Sequence, residues 1–200
     1  MRAKITCKMC RREGVSICGR DKCALVRRPY PPGAHGPTSR SRLTPYGIQL
    51  REKQKAKRVY GTTERQFRRY FDEAAKRKGD TGDMLVQMLE TRLDNVVYRL
   101  GLAKTRSQAR QLVAHGHLDV NGKKVDIPSF RVRPGMTVTA REKVLESPYW
   151  KGAIEATEKK ELPSWLTREG KLGGKVLTAP EGGDLKGPFD PKLIVEFYSR

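Results

Sequence analysis

Four cysteines near the start of the sequence form its clearest chemical pattern. They are Cys7, Cys10, Cys18 and Cys23, with two, seven and four residues between them, and the other positions of the 200-residue sequence hold no cysteine. Glycines within this stretch allow bends that bring such pairs to one point. The spacing therefore predicts a site of four thiolates, which suits zinc or an iron–sulfur cluster. Free, unligated thiols are the alternative.

The surroundings of the cysteines favour a metal over disulfides. The first ten residues, MRAKITCKMC, lack the apolar core of a signal peptide, so we expect a cytoplasmic chain in a reducing compartment, where structural disulfides are rare. The cysteine segment also has almost no hydrophobic core of its own. A bound metal would supply the local fold that this composition cannot supply.

The charge of the chain points to a polyanionic partner. Lys and Arg number 42 against 22 Asp and Glu, a net charge of +20. Residues 1–60 hold 16 basic and 3 acidic side chains, and residues 92–140 hold nine and three, so these two segments carry nearly all of the excess. No apolar run approaches the roughly 18 residues of a membrane span. We therefore expect these two segments to face the phosphates of a nucleic acid, with no role for a membrane.

Periodicity predicts helices first and short strands afterwards. Thr44-Pro45 begins a helix that runs to about Tyr60, and a second helix follows from Thr63 to Gly79 with an apolar stripe. A third helix is predicted from about Thr81 to Leu100 and a fourth after Thr105. Further along, hairpin strands are predicted around Asn121-Gly122. The last predictions are a helix over 141–161 and strands near Lys175–Leu177 and Leu193–Tyr198.

A helix followed by a basic hairpin forms the second chemical pattern. Arg106 and Arg110 lie four residues apart on one face of the fourth helix, away from its apolar face. The chain then turns into a hairpin with the tip Asn121-Gly122-Lys123-Lys124. The helix face and the hairpin tip together would form a compact cationic surface, suited to phosphates and riboses and without aromatic rings for unstacked bases.

This second pattern resembles the small RNA-binding domain named after ribosomal small-subunit protein four. The resemblance rests on RLDNVVYRLG, TRSQARQLVAHGHLDVNGKKVDIPS and RVRPGM, where Met136 replaces a frequent acidic residue. Other parts of the chain are similar to the ribosomal protein four family itself. These are CALVRRPYPPGAHG, LREKQKAKRVYG, TERQFRRYFDEA and the closing IVEFYSR, so the resemblance covers essentially the whole chain in order.

The resemblance implies a function in the small (30S) ribosomal subunit. It implies a primary binder of 16S rRNA that nucleates assembly of the 5′ domain and contributes to translational accuracy. The implied neighbours are small-subunit ribosomal protein five and mRNA near the channel through which it enters the subunit, and we expect no homo-oligomer. The implied RNA-binding residues in the helix–hairpin segment are Arg92, Arg99, Arg106, Arg110, His115, His117, Asn121, Lys123, Lys124, Arg131 and Arg133.

The basic N-terminal half supplies further candidate RNA contacts. They are Arg27, Arg28 and His35 in the Pro/Gly-rich segment and Arg51, Lys55 and Arg58 on the first long helix. His35 could equally support a turn. For all of these residues the alternative is a solvated charged surface, and His115 and His117 fit an RNA-facing or structural role better than catalysis.

These patterns predict an α+β protein with four segments. Residues 1–43 form an extended, Cys-rich metal-binding and basic segment, and 44–91 form a helical domain. Residues 92–155 form the RNA-binding domain of two helices and β-hairpins, and 156–200 form a mixed segment that packs back on the helical domain.

Catalytic motifs are missing from the sequence. It contains no phosphate-binding GxxxxGK[ST] loop, no HExxH and no GxSxG, so we predict that the protein is not an enzyme. Two other functions stay open: an RNA-modifying enzyme that uses the same RNA-binding module, and a regulator that binds its own mRNA.

Overall fold

The chain folds into two compact units. The first contains Met1–Val86 and Lys186–Arg200, and the second contains Gln87–Leu185. The structure is a computed structural model that describes residues 5–20, 22–38, 43–150, 152, 157 and 160–200. Helices in both units and an antiparallel sheet in the second confirm the predicted α+β class.

Two short helices carry the cysteines of the first unit. Helix α1 spans Cys7–Glu13 and ends at Gly14, whose φ of 70° is readily available to glycine. Helix α2 spans Ala24–Arg27 and packs against α1. This segment contains more helix than the extended conformation that its proline and glycine content predicted.

Three longer helices follow in the chain. Helix α3 spans Pro45–Val59 and helix α4 spans Glu64–Ala74, and the threonine before each accepts a capping hydrogen bond from a backbone N–H. Helix α5 begins at Thr81 and ends at Glu90, which belongs to the second unit. The predicted apolar stripe of α4 is buried in the core, as its helical spacing indicated.

The C-terminal residues of the chain form a helix where the sequence predicted a strand. Pro191–Tyr198 is helical and packs against α3. Asp190 accepts a hydrogen bond from the backbone N–H of Lys192 at 2.9 Å, and Pro191 occupies the first turn. This N-terminal cap, together with packing of Ile194 in the core, overrides the β-prone composition of the segment.

The predicted third helix is broken near the start of the second unit. After α5 the chain is extended at Arg92, with φ −66° and ψ 139°, and a new helix α6 spans Leu93–Arg99. Arg92 forms an isolated antiparallel bridge with Arg131. This long-range pairing explains why the apolar periodicity, which is a local signal, did not reveal the break.

Helix α7 and a sheet complete the second unit. Helix α7 spans Arg106–Ala114 and packs against α6, and a short helix α8 spans Glu142–Leu145. Beyond α8, the helix predicted over 141–161 is interrupted at Glu146 and Ser147 and is helical again at 148–150, 152 and 157, while 151, 153–156, 158 and 159 lie outside the described residues. The five antiparallel strands lie in the order β2-β1-β3-β5-β4. They span Leu118–Val120 (β1), Lys123–Lys124 (β2), Thr137–Ala140 (β3), Leu166–Arg168 (β4) and Gly173–Val176 (β5).

The two units divide the chain differently from the four predicted segments. Strands β4 and β5 belong to the sheet of the second unit, because β5 pairs with β3 from Thr137 to Thr139. The part of 156–200 that packs with the first unit begins at Lys186. Among the residues that the structure describes, no helix combines the length and apolar composition that a membrane span requires.

Candidate nucleic-acid interface and metal centre

The four cysteines lie close together in the first unit. The Sγ atoms of Cys7, Cys18 and Cys23 lie within 4.8 Å of one another. Cys10 is fully buried and its thiol shares hydrogen bonds with those of Cys18 and Cys23. We call these four residues the cysteine cluster. None of them forms a disulfide.

Backbone and side-chain donors surround the sulfurs of the cysteine cluster. The backbone N–H of Leu25 and the hydroxyl of Ser16 donate to Cys23, and the backbone N–H groups of Ile17 and Cys18 donate to Cys10. The Leu25 donor lowers the pKa of Cys23 to about 7, whereas burial raises the pKa of Cys10 to about 12. Thiolates on zinc at Zn–S distances of about 2.3 Å stand about 3.8 Å apart, so this sulfur arrangement fits a single zinc ion. An iron–sulfur cluster separates its thiolates further, because its own iron and sulfide atoms lie between them.

Helix α1 also orders the basic segment that follows the cysteines. Arg11 donates from Nε to the carbonyl of Tyr30 at 2.9 Å and from Nη2 to that of Pro31 at 3.1 Å, and its guanidinium lies 4.7 Å from the Tyr30 ring centroid. The predicted contacts Arg27, Arg28 and His35 are exposed along this segment.

The predicted contacts on helix α3 are engaged within the first unit. Arg51 and Arg58 both pair with the carboxylate of Glu13, whose side chain has no exposed surface, and Arg51 does so at 3.4 Å. Lys55 pairs with Glu52 at 2.6 Å. These arginines therefore attach α1 to α3, a structural role that the sequence did not reveal.

Two buried carboxylates in the second unit each bind two arginines. Asp94, with 6% of its side chain exposed, accepts from Arg92 Nε at 3.0 Å and Nη2 at 2.6 Å. Its Oδ2 also lies 3.3 Å from Nη1 of Arg110, on helix α7. Arg92 is itself fully buried. The side chain of Arg92 thus stabilises Asp94 inside the unit, away from any surface that RNA could reach.

Glu90 binds the other pair of arginines. Its side chain is 2% exposed and accepts from Arg99 Nε at 2.9 Å and Nη2 at 2.8 Å. Arg106 Nη2 lies 4.0 Å from Oε1 of Glu90, and Arg106 Nε donates to Asn95 Oδ1 at 2.8 Å. The Asn95 amide donates to Oε2 of Glu90 at 2.7 Å. We call the residues of these two groups together the arginine–carboxylate cluster; its members are Glu90, Arg92, Asp94, Asn95, Arg99, Arg106 and Arg110.

Tyr98 lies between two cations beside this cluster. The guanidinium carbon of Arg106 is 4.4 Å from the centroid of its ring, and Nζ of Lys160 is 4.0 Å from it. Burial, together with the nearby charges of Arg99 and Arg106, lowers the pKa of Lys160 to about 8. Burial is the larger cause of this shift, and the two arginine charges add to it.

The hairpin places exposed basic side chains on the same unit. Lys123, Lys124 and Arg133 are exposed and Arg131 is partly exposed. Asn121 adopts φ 50° in the turn and its Oδ1 accepts from the backbone N–H of Thr137 at 2.8 Å. The side-chain oxygen of Asn121 therefore joins the hairpin to β3.

The two histidines have different surroundings. His115 is exposed, whereas His117 is partly buried and its Nδ1 accepts from Trp150 Nε1 at 3.4 Å. Burial and the neighbouring His115 lower the pKa of His117. A neutral His117 that packs beside Trp150 fits the structural alternative for this residue.

Two family models match consecutive parts of this chain. A family model described as the ribosomal protein S4/S9 N-terminal domain matches residues 3–90, and one described as the S4 domain matches residues 91–138. The chain belongs to the ribosomal protein S4 family. It is 53% identical to the small ribosomal subunit protein uS4A of Alkaliphilus metalliredigens and 49% identical to uS4 of Thermus thermophilus. Each comparison covers 97% of this chain and 96% of the relative. These S4 relatives are ribosomal proteins and not enzymes, which confirms the prediction on catalysis.

Sequence reasoning missed the acidic residues of the candidate interface. Glu90 and Asp94 were not singled out, although both lie within a helical turn of predicted RNA-binding arginines in the sequence. Asp94 lies inside the strongly basic segment 92–140 and Glu90 lies two residues before it. This position was the available signal, because a carboxylate kept among arginines is commonly their partner. The burial of Glu90 and Asp94, by contrast, depends on the packing of α6, α7 and the loop before β3 against one another.

Proposed function

We propose that this chain is a structural constituent of the small ribosomal subunit, in the cytoplasm, and that it binds 16S rRNA there. The observation that carries the proposal is the agreement of the whole chain, at about half identity, with proteins named small ribosomal subunit protein uS4. The net charge of +20 supports an RNA partner, since lysines and arginines that neutralise phosphates release condensed counterions.

The proposed RNA surface of the second unit consists of the outward-facing basic residues. Arg99, Arg106 and Arg110 retain 29%, 23% and 30% of their side-chain surface. The hairpin adds the exposed lysines of β2, and Arg131, Arg133 and His115 extend the surface. Arg92 is left out because it is buried. On the first unit, the proposed contacts are Arg27, Arg28 and His35.

We propose the finer role that the resemblance implies. The chain binds early to the 5′ domain of 16S rRNA, nucleates its assembly, and contributes to translational accuracy beside small-subunit ribosomal protein five and the incoming mRNA. A protein with rigid, preordered basic surfaces suits such a role, because it can hold several RNA helices in one arrangement. Cross-linking within intact small subunits tests these neighbours directly.

We also propose that the cysteine cluster holds zinc. The mutual approach of three sulfurs within 4.8 Å and the N–H donors to Cys10 and Cys23 support this ion. When bound, zinc supplies folding free energy to a segment whose apolar core is small. The residues that would hold it are Cys7, Cys10, Cys18 and Cys23.

The salt dependence of RNA binding tests the proposed function. We expect the full chain to bind a 16S 5′-domain junction more tightly than a random duplex of equal length. Its affinity should fall by orders of magnitude between about 50 and 200 mM salt. Equal affinity for both RNAs would contradict specific recognition, and salt-insensitive binding would contradict the phosphate-based mechanism.

A further inference from the structure

Burial of the carboxylates of Glu90 and Asp94 costs free energy in the second unit. Their side chains are 2% and 6% exposed. Removing a carboxylate from water is costly even when it is paired, and apolar residues of similar volume often replace buried ion pairs without loss of stability. Stability alone is therefore a weak explanation for two buried carboxylates in this unit.

The contacts of the two carboxylates show that they fix the positions of neighbouring arginine side chains. Both oxygens of Glu90 accept from Arg99, which fixes the guanidinium plane of a side chain that is still 29% exposed. Arg106 is fixed through Asn95 and through the Tyr98 ring. Arg110 is fixed through Asp94. Three partly exposed guanidinium groups thus acquire defined positions before any ligand is present.

We propose that Glu90 and Asp94 are positioning residues for RNA binding, which hold Arg99, Arg106 and Arg110 as one ordered array for phosphates of folded RNA. This inference rests on the proposed function. An arginine that is already ordered loses less side-chain entropy when a phosphate binds, and each immobilised side chain changes affinity by roughly two- to tenfold. A fixed array also distinguishes phosphates at matching positions from phosphates on an arbitrary duplex.

The direction in which one substitution changes RNA affinity distinguishes this positioning role from simple charge attraction. Glu90→Gln removes a negative charge and so raises the positive charge of the protein by one. Counterion release and Coulomb attraction alone predict equal or tighter binding to any RNA. Ordering of the arginines predicts the opposite result for a folded junction, because Arg99 and Arg106 lose their charged partner.

The experiment compares four full-length proteins for binding to the 16S 5′-domain junction and to a random duplex of equal length. They are the wild type, Glu90→Gln, the charge-conserving Arg99→Lys, and the control Glu73→Gln. Glu73 also pairs with an arginine, Arg77 at 2.9 Å, but this pair is exposed. Circular dichroism and thermal melting report whether each variant folds.

We expect Glu90→Gln to weaken junction binding roughly tenfold while duplex binding stays equal or becomes tighter. Arg99→Lys should weaken junction binding by several-fold at constant charge, because an ammonium cannot form the two-pronged contact with Glu90. Glu73→Gln should bind the junction at least as well as the wild type.

The outcomes distinguish this inference from the proposed function. If folded Glu90→Gln binds the junction as tightly as the wild type, the positioning role is wrong. If that variant does not fold, the junction affinity of Arg99→Lys is the deciding measurement. An affinity equal to that of the wild type overturns the inference. If the wild type itself does not discriminate the junction from the duplex, the proposed function fails and the inference fails with it.

Discussion

The hydroxyl of Tyr198 donates to Oε1 of Glu64 at 3.0 Å and so joins the C-terminal helix to the start of helix α4. The same carboxylate accepts from Lys53 at 2.7 Å and from Lys57 at 2.8 Å. Burial opposes ionisation of Glu64, but these three donors outweigh it and hold its pKa at about 2. One carboxylate thus connects three helices of the first unit.

We predict that acid removes the stabilisation that these contacts of Glu64 provide. The pKa of Glu64 in the folded state lies below the value of about 4.3 expected for the unfolded chain, so its stabilisation is complete at neutral pH and is lost as the pH falls from about 5 towards 2. Because 47% of the side chain is exposed, the contribution at neutral pH is about 1 kcal/mol. Urea unfolding of wild type and Glu64→Gln should differ at pH 7 and converge near pH 2. A difference that persists at pH 2 would refute the assignment, and Glu73→Gln serves as an exposed control.

The cysteine cluster predicts the metal content of the purified protein. Protein prepared without oxygen should contain about one zinc per chain by elemental analysis and show no visible absorption. Cys18→Ser should lose the ion and render residues 7–27 sensitive to proteolysis, since metal and local fold are coupled. Ser16→Ala, which removes a donor to Cys23, should retain zinc with lower affinity. Stoichiometric iron with a visible chromophore would instead establish a cluster.

The exposed hairpin lysines are expected to contribute affinity without contributing stability. Replacing Lys123 and Lys124 together by alanine should weaken binding to the 16S junction by about 1–3 kcal/mol and reduce the salt slope by about two. The melting temperature should be nearly unchanged because both side chains are exposed. The double variant Lys76→Ala/Lys78→Ala removes the same charge from exposed positions in the first unit. Equal losses for both double variants would mean that only total charge matters.

A glycine in the sheet is expected to tolerate no side chain. A Cβ at Gly174, on β5, would lie 2.3 Å from Cδ2 of the buried Leu100 and 2.7 Å from the carbonyl oxygen of Thr167. Gly174→Ala should therefore lower stability by about 1–3 kcal/mol in denaturant unfolding. A Cβ at Gly183 would meet no atom within 4 Å, so Gly183→Ala should change stability by less than about 0.5 kcal/mol. Similar stabilities for the two variants would contradict the close packing of β5 on Leu100.

Local signals predicted much of the fold. Thr44-Pro45, Thr63 and Thr105 each mark a helix start that the structure contains, and each threonine accepts a capping hydrogen bond. The Asn121-Gly122 turn also lies where the sequence placed it, with both residues at positive φ. Caps and tight turns are predictable because their hydrogen bonds and backbone angles are set within a few residues.

Long-range contacts account for two of the wrong predictions. The break before α6 depends on Arg92 pairing with Arg131, and no pattern within 81–100 records that contact. Burial of Arg92 depends on the same meeting of distant segments, so its basic character suggested a surface role that its environment excludes. For the strand predicted near Leu193–Tyr198, the sequence did hold the decisive local signal, the Asp190-Pro191 cap, and the prediction did not use it.

Completion of the first unit by Lys186–Arg200 has a consequence for biosynthesis. The buried Phe189 and Ile194 are translated about 115–150 residues after helices α3 and α4, which at roughly 5–20 residues per second is a delay of about 6–30 s. During that interval the residues of the second unit are being translated, while α3 and α4 still lack their C-terminal partner. Chaperones that shield apolar helices on nascent chains therefore have a defined time in which to act on α4.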